Sequence, residues 1–356
     1  MKQRILMLHS SSDLYGASKI FSITAMILKD MGHHVHVVLS EEGPLPVQLR
    51  NEGLPVSIIR LGILRRKYFS PGGLVNRIRV LKEAYKAVAK IVEEDQINHI
   101  YSNTTAVLVG AWIAGRQQIF HTWHIHEIIA RPKWLAFLLG KIVARTSGQI
   151  IVVSEAVKSF WSRYISPEKL KVVYNGIDYG AYLEAEKLLR KELAISDEYL
   201  LIGMVGRVSP WKGQSYFLDI AKELCRSYSH LVFIIVGDTF PGNEHLYDKM
   251  LEQVKRNGLE NRVHTVGFRS DVPAILAALD VFVLPSTLPD PLPTVILEAM
   301  ASGKPVVATA HGGAREMVSQ NETGYLIPWD NAPEAANQMI PLIEEERLRT
   351  EMGKKG

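Results

Sequence analysis

The sequence predicts an α/β protein of two Rossmann-like domains with parallel sheets, and three observations carry that prediction. Short apolar runs such as RILML (4–8) alternate with helix-length segments along nearly the whole chain, and parallel strands joined by helical crossovers require a doubly wound sheet. The series runs twice, the two halves alike in type but not in sequence, which describes two domains rather than a repeat array. Between them VVYNGID (172–178) carries an Asn-Gly turn signal. A length of 356 residues suffices for two domains of ordinary size, and the division is placed at 1–175 and 176–356.

In the first half, RILML reads as a buried strand, HSSSDLYGASK as the loop after it, and Ser18 to Met31 as a helix. MGHHVHVVLS gives a turn and a second strand. PVSIIRL follows as a strand, 74–94 as a helix, HIYSN as a strand, 105–115 as a helix and QIFHTW as a strand. A helix near 132–145 then precedes the strands QIIVVS and KVVYN. In the second half the strands are YLLIGMVG, HLVFIIVG, RVHTVGF, VFVLPS and KPVVAT, with helices at 212–226, 244–258, SDVPAILAALD, from Thr294, and about 332–347. The loops with candidate functional residues follow strands directly, at the sheet edge where open α/β sheets bind ligands.

Composition narrows the function. Hydrophobic residues make up 47% of the chain, as in a globular protein with a sizeable core. The single cysteine, Cys225, allows neither an intramolecular disulfide nor a cysteine zinc cluster, and a reducing cytosol is the natural compartment. The formal charge of +4 is too mild for a dedicated nucleic-acid binder and suits an anionic ligand or an anionic membrane surface. No signal peptide and no run of transmembrane length is visible.

Five stretches carry candidate chemistry. Gly16 and Ala17 precede a helix whose first N–H groups attract anions, although on these residues alone a simple tight turn is the better reading. In HTWHIHEII, His124 and His126 fall at period two and share a strand face, while Glu127 points the other way; a metal site, an active-site histidine and a core histidine are the alternatives. RPKWLAFLLGKIVAR (131–145) is an apolar helix broken by Lys133, Lys141 and Arg145. It is either a core helix with outward-snorkelling cations or an interfacial helix on an anionic membrane, with Arg65, Arg66 and Lys67 adding to the second reading. In GRVSPWKGQ, Arg207 and Lys212 lie close enough to address one diphosphate, or else are two solvated charges. In PSTLPDPLPTVILEAMASGKPVVATAHGG (285–313), Asp290 precedes a largely apolar helix with Thr294, Glu298 and Ser302 on one stripe. A carboxylate at Glu298 needs a partner, from the fold or from a ligand hydroxyl.

The frame PDPLPTVILEAMASGKPVVAT, in which an acidic residue is followed by seven residues and then Glu, resembles the signature of retaining glycosyltransferases of family 4. The small-residue loop, the His-Glu pair, the Asn-Gly-Ile-Asp linker and the Arg and Lys-Gly loop extend the resemblance over nearly the whole chain. It implies two facing Rossmann-like domains of the GT-B type, with the acceptor mainly on the first and a nucleotide-diphosphate sugar mainly on the second. On that likeness His126 lies beside the transferred sugar and Asp290 contacts it. Arg207 and Lys212 hold the diphosphate with the N–H groups of Thr294 and Val295, Glu298 holds the ribose hydroxyls, and the Gly16 loop faces the diphosphate. The implied activity is retaining, metal-independent transfer, without a cofactor, to a glycan or lipid-linked acceptor in bacterial surface polysaccharide or lipopolysaccharide biosynthesis. It would take place in the cytoplasm, peripheral to the inner face of the membrane. The chain has no Asp-x-Asp pair, in keeping with neutralisation by Arg207 and Lys212. It departs from the family pattern in Asp290 for Glu, in Pro293 for Gly, and in stopping at EMGKKG without the final crossover helix. The alternatives are a non-catalytic nucleotide-binding module of the same fold and a sugar-nucleotide epimerase.

Overall fold

The computed structural model describes residues 2–63 and 71–356, and the chain divides into two compact units, Met1–Asn175 and Gly176–Gly356. Arg65, Arg66 and Lys67 lie outside the described residues.

The first unit is built on β1 (Arg4–His9), β2 (His34–Leu39), β3 (Val56–Ile58), β4 (His99–Asn103), β5 (Phe120–Ile125), β6 (Gln149–Val152) and β7 (Leu170–Val172), all parallel in the order β3-β2-β1-β4-β5-β6-β7. Its helices are α1 (Gly16–Asp30), α2 (Pro44–Asn51), α3 (Pro71–Glu94), α4 (Leu108–Gln117), α5 (Lys133–Thr146) and α6 (Glu155–Trp161). Both faces of the sheet are covered, so β1 is apolar without alternation. Ile5 and Met7 pack with Phe21 and Ala25 of α1 and Leu45 and Leu49 of α2, while Leu6 and Leu8 pack with Val88 and Val92 of α3 and Ile113 of α4.

The second unit repeats the plan with β8 (Leu200–Val205), β9 (Leu231–Val236), β10 (Val263–Thr265), β11 (Val281–Leu284), β12 (Val306–Thr309) and β13 (Gly324–Ile327) in the parallel order β10-β9-β8-β11-β12-β13. Its helices are α7 (Gly180–Leu183), α8 (Leu188–Glu192), α9 (Gln214–Cys225), α10 (His245–Arg256), α11 (Val272–Ala278), α12 (Thr294–Ala301), α13 (Ala314–Met317), α14 (Ala332–Glu344) and α15 (Glu346–Lys355). Leu200, Ile202 and Met204 face α9, α10 and α14, and Leu201 faces the layer of α8, α11 and α12.

The α/β architecture of two parallel-sheet Rossmann-like domains is therefore present. Local boundaries move for identifiable reasons. Helix α4 starts at Leu108 rather than 105 because Thr104 turns the chain at φ 77°. It ends where Gln118 takes φ 55°, which delays β5 to Phe120. The predicted helix at about 332–347 is interrupted at Glu345, whose extended backbone (ψ 99°) separates α14 from α15. The sequence reading missed α2, whose Pro44 is acceptable in a first turn that lacks N–H partners anyway. It also missed α6, capped by Ser154 Oγ accepting from Val157 N at 3.2 Å, and β13.

A buried ion pair fastens α8 to the second sheet. Arg190, 8% exposed, donates to Asp280 Oδ2 at 2.5 Å and to the carbonyls of Ala278, Ser196 and Tyr199 at 3.1, 3.3 and 3.1 Å. Asp280 Oδ2 also accepts from Leu201 N at 2.6 Å. Removing the guanidinium leaves the partly exposed Asp280 carboxylate without its cation and three carbonyls without that donor, so Arg190→Met should cost about 1–3 kcal/mol. Urea denaturation measures this, and a loss under about 1 kcal/mol would mean that water replaces the guanidinium.

Candidate active site

In each sheet, strand order reverses direction at one place, and loops on either side of such a point part to leave room for a ligand. In the first sheet the reversal lies between β1 and β4, in the second between β8 and β11.

At the second reversal, the loop 206–213 leaves β8 and the loop 285–293 leaves β11. Lys212 Nζ lies 2.5 Å from Asp290 Oδ2, and Ser286 Oγ donates to the same oxygen at 3.2 Å. Two residues expected to have separate roles are thus in contact. Arg207 has a different neighbour: its guanidinium stacks over Phe240 at 3.4 Å, on the loop after β9. The β8 loop is braced from inside by Gln214, which donates to Arg207 O at 3.0 Å and accepts from Ser209 N at 3.4 Å. Helix α12 opens at Thr294 and Val295 with Pro293 before it, no side-chain cap and no acidic residue in its first turn. Its N-terminal end therefore carries uncompensated positive dipole. Glu298, one turn in, is buried at 6% exposure, and Ser302 Oγ donates to its backbone carbonyl at 3.0 Å.

At the first reversal the carboxyl ends of β1, β4 and β5 contribute His9, Asn103 and His126. His126 Nε2 lies 2.9 Å from Asn103 Oδ1, Asn103 Nδ2 2.9 Å from His9 Nδ1, and His9 Nε2 2.9 Å from Ser18 Oγ. Ser18 Oγ donates to Asp13 Oδ1 at 2.9 Å, and Ser11 Oγ and Tyr15 N also donate to that carboxylate. Gly16 opens α1 and is exposed, with nothing within 4 Å of where a Cβ would stand. His124 and His126 do share a face, with ring centroids 4.1 Å apart, and His124 Nδ1 meets Tyr101 Oη at 2.5 Å. Glu127 accepts from Thr105 N at 3.3 Å and from His126 N at 3.2 Å. Among the described residues no group of three or more His, Cys, Asp or Glu is arranged to hold a metal ion.

The sequence reading names His126 but not Asn103, His9, Ser18 and Asp13, which the structure joins to it in one hydrogen-bonded chain. A signal existed: HSSS and HIYSN both end an apolar strand on a polar residue, at strands that become neighbours.

Helix α5 buries Ala136, Leu139, Gly140 and Val143 and exposes Trp134 (56%), Phe137 (53%) and Leu138 (47%) beside Lys133 and Lys141. No described helix is long and apolar enough to cross a membrane.

The comparisons with known proteins agree with this architecture. Residues 23–180 match the model for Glycosyltransferase Family 4, and residues 185–356 the model for Glycosyl transferases group 1. The chain belongs to glycosyltransferase family 4, of the two-Rossmann-domain GT-B type, and is a glycosyltransferase. It is 28% identical to the Escherichia coli UDP-Gal:alpha-D-GlcNAc-diphosphoundecaprenol alpha-1,3-galactosyltransferase, over 94% of this chain and 86% of that enzyme. It is 29% identical to the N-acetyl-alpha-D-glucosaminyl L-malate synthase of Bacillus anthracis, over 59% of this chain and 54% of that enzyme. Anabaena Alr3699/HepE, solved with UDP-glucose, superposes with a TM-score of 0.87 at 28% identity, covering 99% of this chain and 93% of that one.

The buried histidines make the fold acid-labile. Burial pushes His9, His121 and His124 from the ordinary 6.5 down to about 4. The unfolded rings therefore take up protons between pH 6.5 and about 4 that the folded rings refuse, and stability falls as pH is lowered through that window. Glu127 works the other way, since burial raises it to about 7, but it is one group against three. A net loss of about 1–3 kcal/mol per pH unit is expected below pH 6.5. Urea midpoints measured at half-unit steps from pH 7.5 to 4.5 check this, and a flat profile would mean that the rings are hydrated.

Proposed function

We propose that this glycosyltransferase is retaining and metal-independent, and that it moves a hexose from a UDP-sugar to a glycan or lipid-linked acceptor in the assembly of bacterial surface polysaccharide. The observation that carries the proposal is the Lys212–Asp290 pair across the switch point of the second sheet, beside the uncapped start of α12. A diphosphate entering there meets an ammonium and two helix N–H groups, Thr294 and Val295, with Pro293 contributing none. As the bond to the sugar breaks, negative charge develops on that diphosphate, and fixed cations and dipoles stabilise it without reorganising. Lys212 and Arg207 supply the charge that a metal ion would otherwise provide. Glu298 offers a buried acceptor to the ribose hydroxyls. Asp290 addresses the sugar while sharing Lys212 with the phosphates; the roles the family likeness gives His126, contact with the sugar, and Gly16, contact with the donor, are part of the same proposal. The choice of UDP is supported by the names of the Escherichia coli and Anabaena relatives, and retention by family membership.

Calorimetry with UDP, GDP and ADP tests the donor, and NMR of the first-formed anomer tests retention. UDP should bind tightest, EDTA should leave turnover unchanged, and the product should keep the donor's anomeric configuration. Lys212→Ala and Arg207→Ala should each lower kcat/KM for the donor about tenfold to a hundredfold, as loss of a charge-assisted contact of about 1.5–3 kcal/mol requires. Asp290→Asn should lose transfer and keep UDP affinity. Wild-type donor kinetics in both cation variants would place the diphosphate elsewhere. Binding of UDP with no release of UDP from any UDP-sugar would leave a nucleotide-binding module.

The exposed face of α5 supports docking on the inner face of an anionic membrane, where aromatic side chains insert and lysines meet headgroups. Vesicles containing phosphatidylglycerol should sediment the protein at low salt, and Lys133→Glu with Lys141→Glu should abolish this. Equal sedimentation of wild type and double variant would end the idea.

A further inference from the structure

We propose that Asp13, acting through Ser18, His9 and Asn103, fixes which ring nitrogen of His126 carries the proton, and that Asn103 is the positioning residue in contact with it. The inference rests on the reading of His126 as a residue that meets the sugar.

The direction of the chain follows from what each group is able to donate. An ionised carboxylate only accepts, so the single hydrogen of Ser18 Oγ goes to Asp13 Oδ1. Ser18 Oγ then has none left for His9, and the 2.9 Å contact between them requires His9 Nε2 to be the donor. A neutral imidazole has one N–H, so His9 Nδ1 is bare and accepts from Asn103 Nδ2. The amide nitrogen is placed on that side by a second observation: it also lies 3.5 Å from Ala17 O, and a carbonyl oxygen only accepts. Asn103 therefore turns Oδ1 toward His126, whose Nε2 must carry the proton to bond at 2.9 Å. Burial keeps the histidines neutral: His9 is held down to about 4, and His126 is lowered by burial and by the neighbouring His124 and His9 rings.

The array leaves His126 Nδ1 with a lone pair and no partner among the described residues. That nitrogen is an acceptor, so it takes a ligand group that donates, a sugar hydroxyl or N–H rather than a carbonyl or an ionised phosphate oxygen. The strand ends make the arrangement specific. Asn103 is fully buried at the end of β4, directly before Thr104, whose φ of 77° is costly for a β-branched residue. The backbone strain at that corner holds the amide where two rings on neighbouring strands both reach it.

Ring-¹⁵N NMR of histidine-labelled full-length protein reads the tautomer directly, beside kcat and donor KM with a UDP-sugar. In the wild type His126 should be the Nε2–H tautomer. Asn103→Leu removes both contacts and should mix the tautomers and lower kcat about tenfold or more, with donor KM within about twofold. Asn103→Asp keeps an acceptor for His126 Nε2, so it should restore the tautomer and most of kcat relative to Asn103→Leu. Asp13→Asn, a change in a loop, permits the hydroxyl direction to reverse and should shift the His126 signal toward Nδ1–H. If Asn103→Leu does not fold, Asp13→Asn and Asn103→Asp decide. An Nδ1–H wild type, an unchanged His126 signal in Asp13→Asn, or wild-type kcat in a variant whose tautomer has shifted overturns the proposal while His126→Ala remains inactive. Wild-type kcat in His126→Ala overturns it differently, by removing the role of His126 itself.

Discussion

All strands of a parallel sheet deliver their carboxyl ends to one edge, and only where the crossovers change direction do the loops on that edge separate. Both domains obey this constraint, and the candidate donor and sugar residues of each lie on loops or helix starts at that edge. In the first sheet it brings the ends of β1, β4 and β5 together; in the second, the loops after β8 and β11. Residues separated by 94 positions, such as His9 and Asn103, become hydrogen-bonded neighbours because β1 and β4 are adjacent strands. Without the reversal, a connecting helix would cover the same spot.

The two domains fill that space in opposite electrostatic styles. The first is mainly an array of imidazole, amide and hydroxyl groups, buried deeply enough that protonating it is costly, with Asp13 at its outer end and Glu127 beside His126. The second is made of charges and dipoles, Lys212 on Asp290 and Arg207 over Phe240, near a helix start with no cap. On the proposed reading, a neutral array suits hydroxyls and a charged loop suits an anion.

Legibility in the sequence tracked how local the cause was. Apolar runs of strand length and the turn at Asn175–Gly176 exposed the domain plan because both are written in contiguous residues. Candidate positions in the second domain were readable for the same reason, since Arg207 and Lys212 share one loop, and Asp290, Thr294 and Glu298 share one loop and helix. What could not be read is pairing across the sheet. Nothing near His126 announces Asn103 or His9, and nothing near Lys212 announces Asp290, because strand order is a global property. Boundary shifts had smaller causes, such as Gln118 in a left-handed conformation without glycine to mark it. Helix α5 shows the limit of composition: its apolar and basic residues can be read off directly, but only packing reveals that Trp134 and Phe137 lie on the outside.

The second domain's edge is assembled with backbone pressed on backbone. At Gly213 (φ 80°) a side-chain carbon would stand 1.8 Å from Pro285 O, and at Gly312 (φ 59°) 2.3 Å from Asp290 O. Gly313 N donates to that Asp290 carbonyl at 2.8 Å, and Thr309 Oγ1 and His311 Nε2 both reach Ser286 O, at 2.7 and 2.6 Å. Three loops, after β8, β11 and β12, are thus keyed together with main-chain atoms on at least one side of each of these contacts. A loop grafted alone at this edge would arrive without the two contours it must fit, so the trio moves as one unit.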